Sequence, residues 1–349
     1  MTAKKKTTLF HRIFQIVLLF GTVISLFYVP WVLVILWLTP KAATVQLEMD
    51  RATEHWFDGM LVYAQQGNEP PVLYASGWKD RAAQVPADPN SLFKIASIGK
   101  LFHALSVSHL AHDGRLHLDS SIAHYLPDYS QGLPEPERIS VRMLVQHRSG
   151  LPNFTDTPGF WSAPSTTAQE ALDLIKNHPA DFEPGTRYAY CNTNYLLLDL
   201  IIAQVAGRPT FEVIQEEILE PLALHRTYES IATAPMDELM SGYYVGVEED
   251  LKTTMYGSMV SSLDDIGRLI RALNDGSAFS PGERELYASL YEFEHTGLIP
   301  GYQNIARYDA QHDLVLVQTV STTNFSGYEW NLGTFEFRRV KKLFLAGKR

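Results

Sequence analysis

The chain has 349 residues, 46% of them hydrophobic and 19% charged, with no long low-complexity tract. This supplies enough apolar material for a sizeable core and excludes an intrinsically disordered chain. A formal charge of -10 repels phosphate backbones, and no basic stripe interleaves with aromatics beyond the terminal lysines, so no nucleic-acid partner is expected.

At the N-terminus, Lys4, Lys5, Lys6 and Arg12 precede an uncharged apolar run over residues 13–38. At about 1.5 Å per residue the run exceeds the roughly 30 Å hydrocarbon core of a bilayer, so it can span with tilt or with a kink at Pro30. A buried core helix rarely runs so far without charge. A cleaved secretory signal has an apolar region of about 7–15 residues, and here Lys41 or Pro40 falls three residues before a cut at Ala43 or Ala42. An uncleaved single transmembrane helix is therefore expected. The basic flank puts residues 1–12 in the cytoplasm and exports the rest, which implies a bacterial inner-membrane protein with a periplasmic or extracellular domain. Tyr28, Trp31 and Trp37 fit the outer interface, residues 39–54 read as a polar linker, and residues 55–349 as one domain.

In that domain two β-prone runs, 57–64 and 72–78, flank a turn segment and predict a hairpin. Residues 97–113 carry apolar positions at helical spacing and stop at Gly114, so Ser97 opens a helix. Thr167 and Glu170 form a capping-box pattern, residues 194–206 read as a buried helix, and 210–219 and 262–274 as further helices. Residues 304–308 and 314–320 read as strands and 334–345 as a closing helix. Strands at both ends around a helical middle predict an α+β fold. Its central antiparallel sheet is built from both chain ends, with flanking helices and an inserted helical subdomain.

Three short motifs carry chemistry. Ser97-Ile98-Gly99-Lys100 puts a hydroxyl and an amine three residues apart at a helix start, within mutual reach, where the helix N-terminus favours an oxyanion. Tyr190-Cys191-Asn192 supplies a phenol and a carboxamide on one side of an extended segment. His295-Thr296-Gly297 supplies a ring able to carry positive charge, a hydroxyl, and a glycine where a substrate backbone can approach.

In this order the motifs resemble those of the serine β-lactamase and penicillin-binding family: class C β-lactamases, DD-carboxypeptidases and related esterases. Phe93-Lys94-Ile95-Ala96-Ser97, Leu144, His147, Ser149-Gly150-Leu151-Pro152, Pro184-Gly185-Thr186 and Asn192-Thr193-Asn194-Tyr195 extend the resemblance. It implies the serine β-lactamase/DD-peptidase-like fold and a serine acyl hydrolase without cofactor or metal, acting on a small-molecule or peptide acyl substrate. Ser97 resembles the nucleophile, and Lys100 and Tyr190 the pair that removes and returns its proton. Asn192 resembles the residue holding the acyl-side amide. The backbone N–H groups of Ser97 and Leu298 resemble the oxyanion hole, and His295, Thr296 and Gly297 would face the leaving-side carboxylate. The activity implied is DD-carboxypeptidase-like or esterase-like. A membrane-anchored receptor acylated without turnover and a β-lactamase are the alternatives.

Many β-lactamases carry lysine where His295 stands, and Leu298 occupies a place where a small residue is more usual. His103, His109 and His112 lie on the nucleophile helix without a metal motif and read as core or solvated histidines. The lone Cys191 permits no intrachain disulfide and reads as buried packing, and His147 as a loop brace.

Overall fold

The computed structural model describes residues 2–349. Helices α1 (Thr2–Leu26), α2 (Trp31–Leu38) and α3 (Val45–His55) lead into strands β1 (Gly59–Gln66), β2 (Val72–Asp80), β3 (Val85–Pro86) and β4 (Phe93–Lys94). The helical middle holds α4 (Gly99–His112), α5 (Ile122–Tyr125), α6 (Val141–Val145), α7 (Ala168–Asp173), α8 (Asn192–Ala206) and α9 (Thr210–Ile214). Strands β5 (Tyr243–Tyr244) and β6 (Val260–Ser261) precede α10 (Leu263–Asp275) and α11 (Glu283–Leu290). The chain closes with β7 (His295–Ile299), β8 (Tyr302–Asp309), β9 (Leu314–Val320), β10 (Thr322–Thr323) and α12 (Glu329–Leu345).

Alternation along the strands decides how the layers assemble. On β1, Leu61 and Tyr63 enter one core cluster while Met60, Val62 and Ala64 enter another; on β9, Val315 and Val317 oppose Leu314 and Leu316 in the same way. Both faces of the sheet are therefore covered. One packs against α10 and the helical middle, the other against α3 and α12. The antiparallel order β3-β2-β1-β9-β8-β7 joins strands from the two chain ends, which leaves β7 as an edge beside the helical middle. Ser262 starts α10 by accepting from Asp265 N at 3.2 Å, a cap that typically contributes about 1 kcal/mol. The helix lies close on the sheet because Gly267 has no Cβ, which would meet the Tyr63 ring at 2.4 Å.

Two expectations for the N-terminal segment need correction. The single transmembrane helix expected over 13–38 is two helices, Ile13–Leu26 and Trp31–Leu38, meeting at 77°, and no single helix among the described residues is long and apolar enough to cross a membrane. The cause is local: Pro30 donates no N–H and restricts Val29 before it, so the helical ladder cannot run through. Residues 39–54 are also more than a linker. Thr44 caps α3 by accepting from Leu47 N, and Val45, Met49 and Ala52 are buried in the core together with Leu36 of α2. Buried Arg339 of α12 donates to Glu48 Oε1 (2.6 Å), Thr39 O (2.9 Å) and Pro40 O (2.9 Å), tying this segment to the closing helix. Burial and the neighbouring Glu48 charge push the Glu336 carboxyl up beside this pair.

Candidate active site

Ser97 is presented by a sharp bend. Strand β4 pairs with β6, Ile95 N donates to Met259 O at 3.0 Å, and Ala96 N donates to Ser258 Oγ at 2.9 Å. Ala96 then turns into the left-handed region at φ 50°, a conformation costing a non-glycine residue of order 1 kcal/mol. A single 3-10 turn, Ala96–Ile98, carries the serine into α4, so Ser97 precedes the α-helix by one turn. That turn sets Lys100 on the same side, with Nζ 3.0 Å from Ser97 Oγ.

From the other side the Tyr190 hydroxyl donates to Ser97 Oγ at 2.7 Å. Asn192 opens α8 and turns its carbonyl to Lys100, accepting from Nζ at 2.9 Å, while its amide donates to Thr155 Oγ1 at 2.9 Å. Cys191 points away between them and is buried, as the extended geometry predicts. Burial lowers the Lys100 pKa to about 7 and raises that of Tyr190 to about 12. Near neutral pH the site therefore holds an amine able to shed its proton beside an intact phenol.

His147 does more than brace a loop. Its Nδ1 accepts the Cys191 N–H at 3.1 Å and its ring stacks on Tyr190 with centroids 4.5 Å apart, fixing the phenol's plane. Burial holds its pKa near 3, so the ring is neutral. Asn153, whose Oδ1 accepts from Asn192 N at 2.9 Å, and Thr155 were not singled out from sequence. The signal available was weak: two side chains of hydrogen-bonding type just after Pro152.

Strand β7 lies against the nucleophile turn. A Cβ on Gly297 would stand 2.4 Å from Ile95 O and 3.1 Å from Ala96 Cβ, so this glycine makes room for the nucleophile segment. The Thr296 side chain is half-buried and Leu298 follows it on the same edge strand. His295 departs from expectation. Its Nε2 pairs with the Tyr291 hydroxyl at 2.8 Å and its Nδ1 with Thr296 O at 2.5 Å, and it stacks on the Tyr291 ring. Burial lowers its pKa to about 4, which favours the neutral ring. A cavity of about 660 Å³ adjoins this side, with His147, Arg148, Tyr188, Glu292 and His295 in its wall.

Two of the helix histidines are structural, since His103 Nε2 meets Asp199 at 3.2 Å and His109 Nδ1 meets buried Glu283 at 2.7 Å, while His112 is exposed. No His, Cys, Asp or Glu group among the described residues could hold a metal ion.

The family model described as Beta-lactamase matches residues 43–295. The chain belongs to the β-lactamase family. Within this family, it is 26% identical over 258 residues to a penicillin-binding protein of Bacillus subtilis (strain 168), covering 66% of this chain and 55% of that one. It is 28% identical over 151 residues to a putative D-alanyl-D-alanine carboxypeptidase of Escherichia coli (strain K12), covering 41% and 35%. The chain thus spans about half or less of the length of these curated relatives. Among solved structures, the D-amino acid amidase from Ochrobactrum anthropi SV3 complexed with D-phenylalanine superposes with a TM-score of 0.76 at 25% identity, covering 87% of this chain and 98% of that one. This β-lactamase-family fold is one of serine hydrolases.

Proposed function

We propose that the chain is a serine acyl hydrolase acting through a Ser97 acyl-enzyme on amide or ester substrates. The observation that carries this reading is Ser97 Oγ held between Lys100 Nζ at 3.0 Å and Tyr190 OH at 2.7 Å, with the lysine pKa brought down to about 7. Neutral Lys100 takes the serine proton as Oγ bonds to the acyl carbon. The oxyanion forms at the N-terminus of α4, toward the N–H groups of Ser97 and Leu298. The bond from the acyl carbon to the leaving nitrogen or oxygen breaks, and the proton passes from Lys100 through Tyr190 to that atom. Water then attacks the acyl-enzyme, gives a proton to the same pair, and the acyl carbon–Oγ bond breaks to return Ser97. Asn192 keeps the amine aimed at Ser97, and Thr296 offers its hydroxyl to the substrate.

The lowered His295 pKa favours an amidase or esterase over a carboxypeptidase, because a neutral ring holds a terminal carboxylate less firmly than a cation does. The ratio of kcat/KM for an anionic over a matched neutral ester is expected to stay flat from about pH 5.5 to 8.5, since the histidine is already deprotonated there. A ratio that falls as pH rises through about 6.5 would restore the cationic role for His295.

We also infer that residues 2–38 hold the domain on the outer face of a bacterial inner membrane. The support is the basic start of α1 and the exposed apolar side chains along α1 and α2, Phe20 and Trp37 among them. Full-length protein expressed in a bacterial host should sediment with membranes, resist high-salt extraction and dissolve in detergent. Recovery in the soluble fraction without detergent would contradict this.

A further inference from the structure

A group of aromatic rings with no role in acyl transfer is built on segments that adjoin the catalytic ones, through Ser258 on Ala96 and through Asn153 and Thr155 on Asn192. Trp161 lies 5.9 Å from Tyr256 and 5.6 Å from Phe325 between ring centroids, and Phe325 lies 5.6 Å from Tyr244. None of these four rings is fully buried, and Phe325 is 41% exposed. The same two loops, 245–255 and 324–328, also expose Val245, Val247, Met255 and Tyr328. Single exposed apolar side chains are ordinary on a protein surface, whereas several gathered on adjoining loops mark a binding surface.

The rings are anchored to the catalytic segments from two directions. Trp161 follows Phe160, which packs on Phe154 at 5.3 Å in the loop whose Asn153 and Thr155 bond to Asn192. Tyr256 is held by Lys94, three residues before Ser97. The buried Lys94 amine donates to Leu251 O and Thr254 O, each at 2.8 Å, and sits 5.2 Å from the centre of the Tyr256 ring. The direct contacts of this amine are loop carbonyls and ring faces, with the Asp250 charge acting on it from the same loop, so they fasten the loop beside the nucleophile. The Tyr244 hydroxyl accepts from Phe325 N at 2.9 Å, which ties the segments carrying these two rings together.

We propose that Trp161, Tyr244, Tyr256 and Phe325 form the acyl-side subsite of this enzyme and select substrates whose acyl group is aromatic or arylalkyl. The inference rests on the acyl-hydrolase reading above and names its substrate class. Aromatic rings attract a substrate ring by area and by edge-to-face or offset contacts, whereas a small acyl group touches little of the wall.

The test compares 4-nitrophenyl phenylacetate with 4-nitrophenyl acetate, dividing each kcat/KM by the ester's hydroxide-catalysed rate. The corrected preference for phenylacetate is expected to be about tenfold or more in the full chain, to fall about tenfold in Phe325→Ala and to persist in Phe325→Tyr. A corrected ratio near one, or a ratio that Phe325→Ala leaves in place, overturns the subsite. Failure of the hydrolase reading is seen separately, as turnover no faster than in Ser97→Ala. Binding then decides: ligand-detected NMR on Ser97→Ala protein should show phenylacetamide bound about tenfold more tightly than acetamide, and equal binding overturns the proposal.

Discussion

Ser97→Ala should lower kcat for a chromogenic ester by about 10⁴-fold or more, and leave no covalent adduct with an acylating probe, while the fold stays intact. The substitution removes one oxygen from a side chain that is only half-buried, and the turn holding it is fixed by Ala96 N on Ser258 Oγ rather than by the serine hydroxyl. The circular dichroism spectrum and melting temperature should therefore match those of the wild type. What disappears is the atom that bonds to the acyl carbon. Lys100, Tyr190 and the helix N-terminus remain, so any residual rate measures what the surrounding electrostatics do without a nucleophile. Equal turnover in Ser97→Ala and wild type would place the chemistry elsewhere.

Lys100→Met should lower kcat/KM by about 10³-fold without destabilising the protein. The amine is buried, and burial is what brings its pKa down to about 7. An unfolded chain keeps this proton until about pH 10.4, so between the two values the unfolded state binds more protons and this group's contribution to stability rises with pH. Below pH 7 the native site must bury a charge at a cost, which methionine of similar length removes. Stability near pH 6 is accordingly expected to be equal or higher in the variant. Wild-type kcat/KM should rise with pH through about 7, as the amine becomes able to accept the serine proton, and this limb should be missing from the residual activity of the variant. If the limb survives, a group other than Lys100 titrates there.

The residues that meet at Ser97 were legible because their spacing already states their geometry. A serine and a lysine three apart at a helix start share a face, and Tyr190 and Asn192 two apart in an extended segment share a side. The sheet was legible because alternation on β1 and β9 reads directly as two covered faces. The charge of His295 was not legible, because it depends on Tyr291 and on burial that only the folded chain creates. The close packing that Gly297 permits was hidden for a similar reason: the atoms it makes room for, Ile95 O and Ala96 Cβ, are distant in sequence. The N-terminal run was read from hydropathy, which shows length and apolarity and says little about direction. The kink at Pro30 was legible from the proline itself, its 77° angle was not, and the docking through Glu48 and Arg339 depends on a residue near the other chain end.

The most direct measurement is intact-protein mass spectrometry of the wild-type chain mixed with a slowly deacylating ester or β-lactam, followed by peptide mapping. A mass increment equal to the acyl group, located on Ser97 and lost in step with product release, is the predicted result. An adduct on any other residue, or ester turnover without an adduct under conditions that trap acyl-enzymes, would contradict covalent catalysis by Ser97.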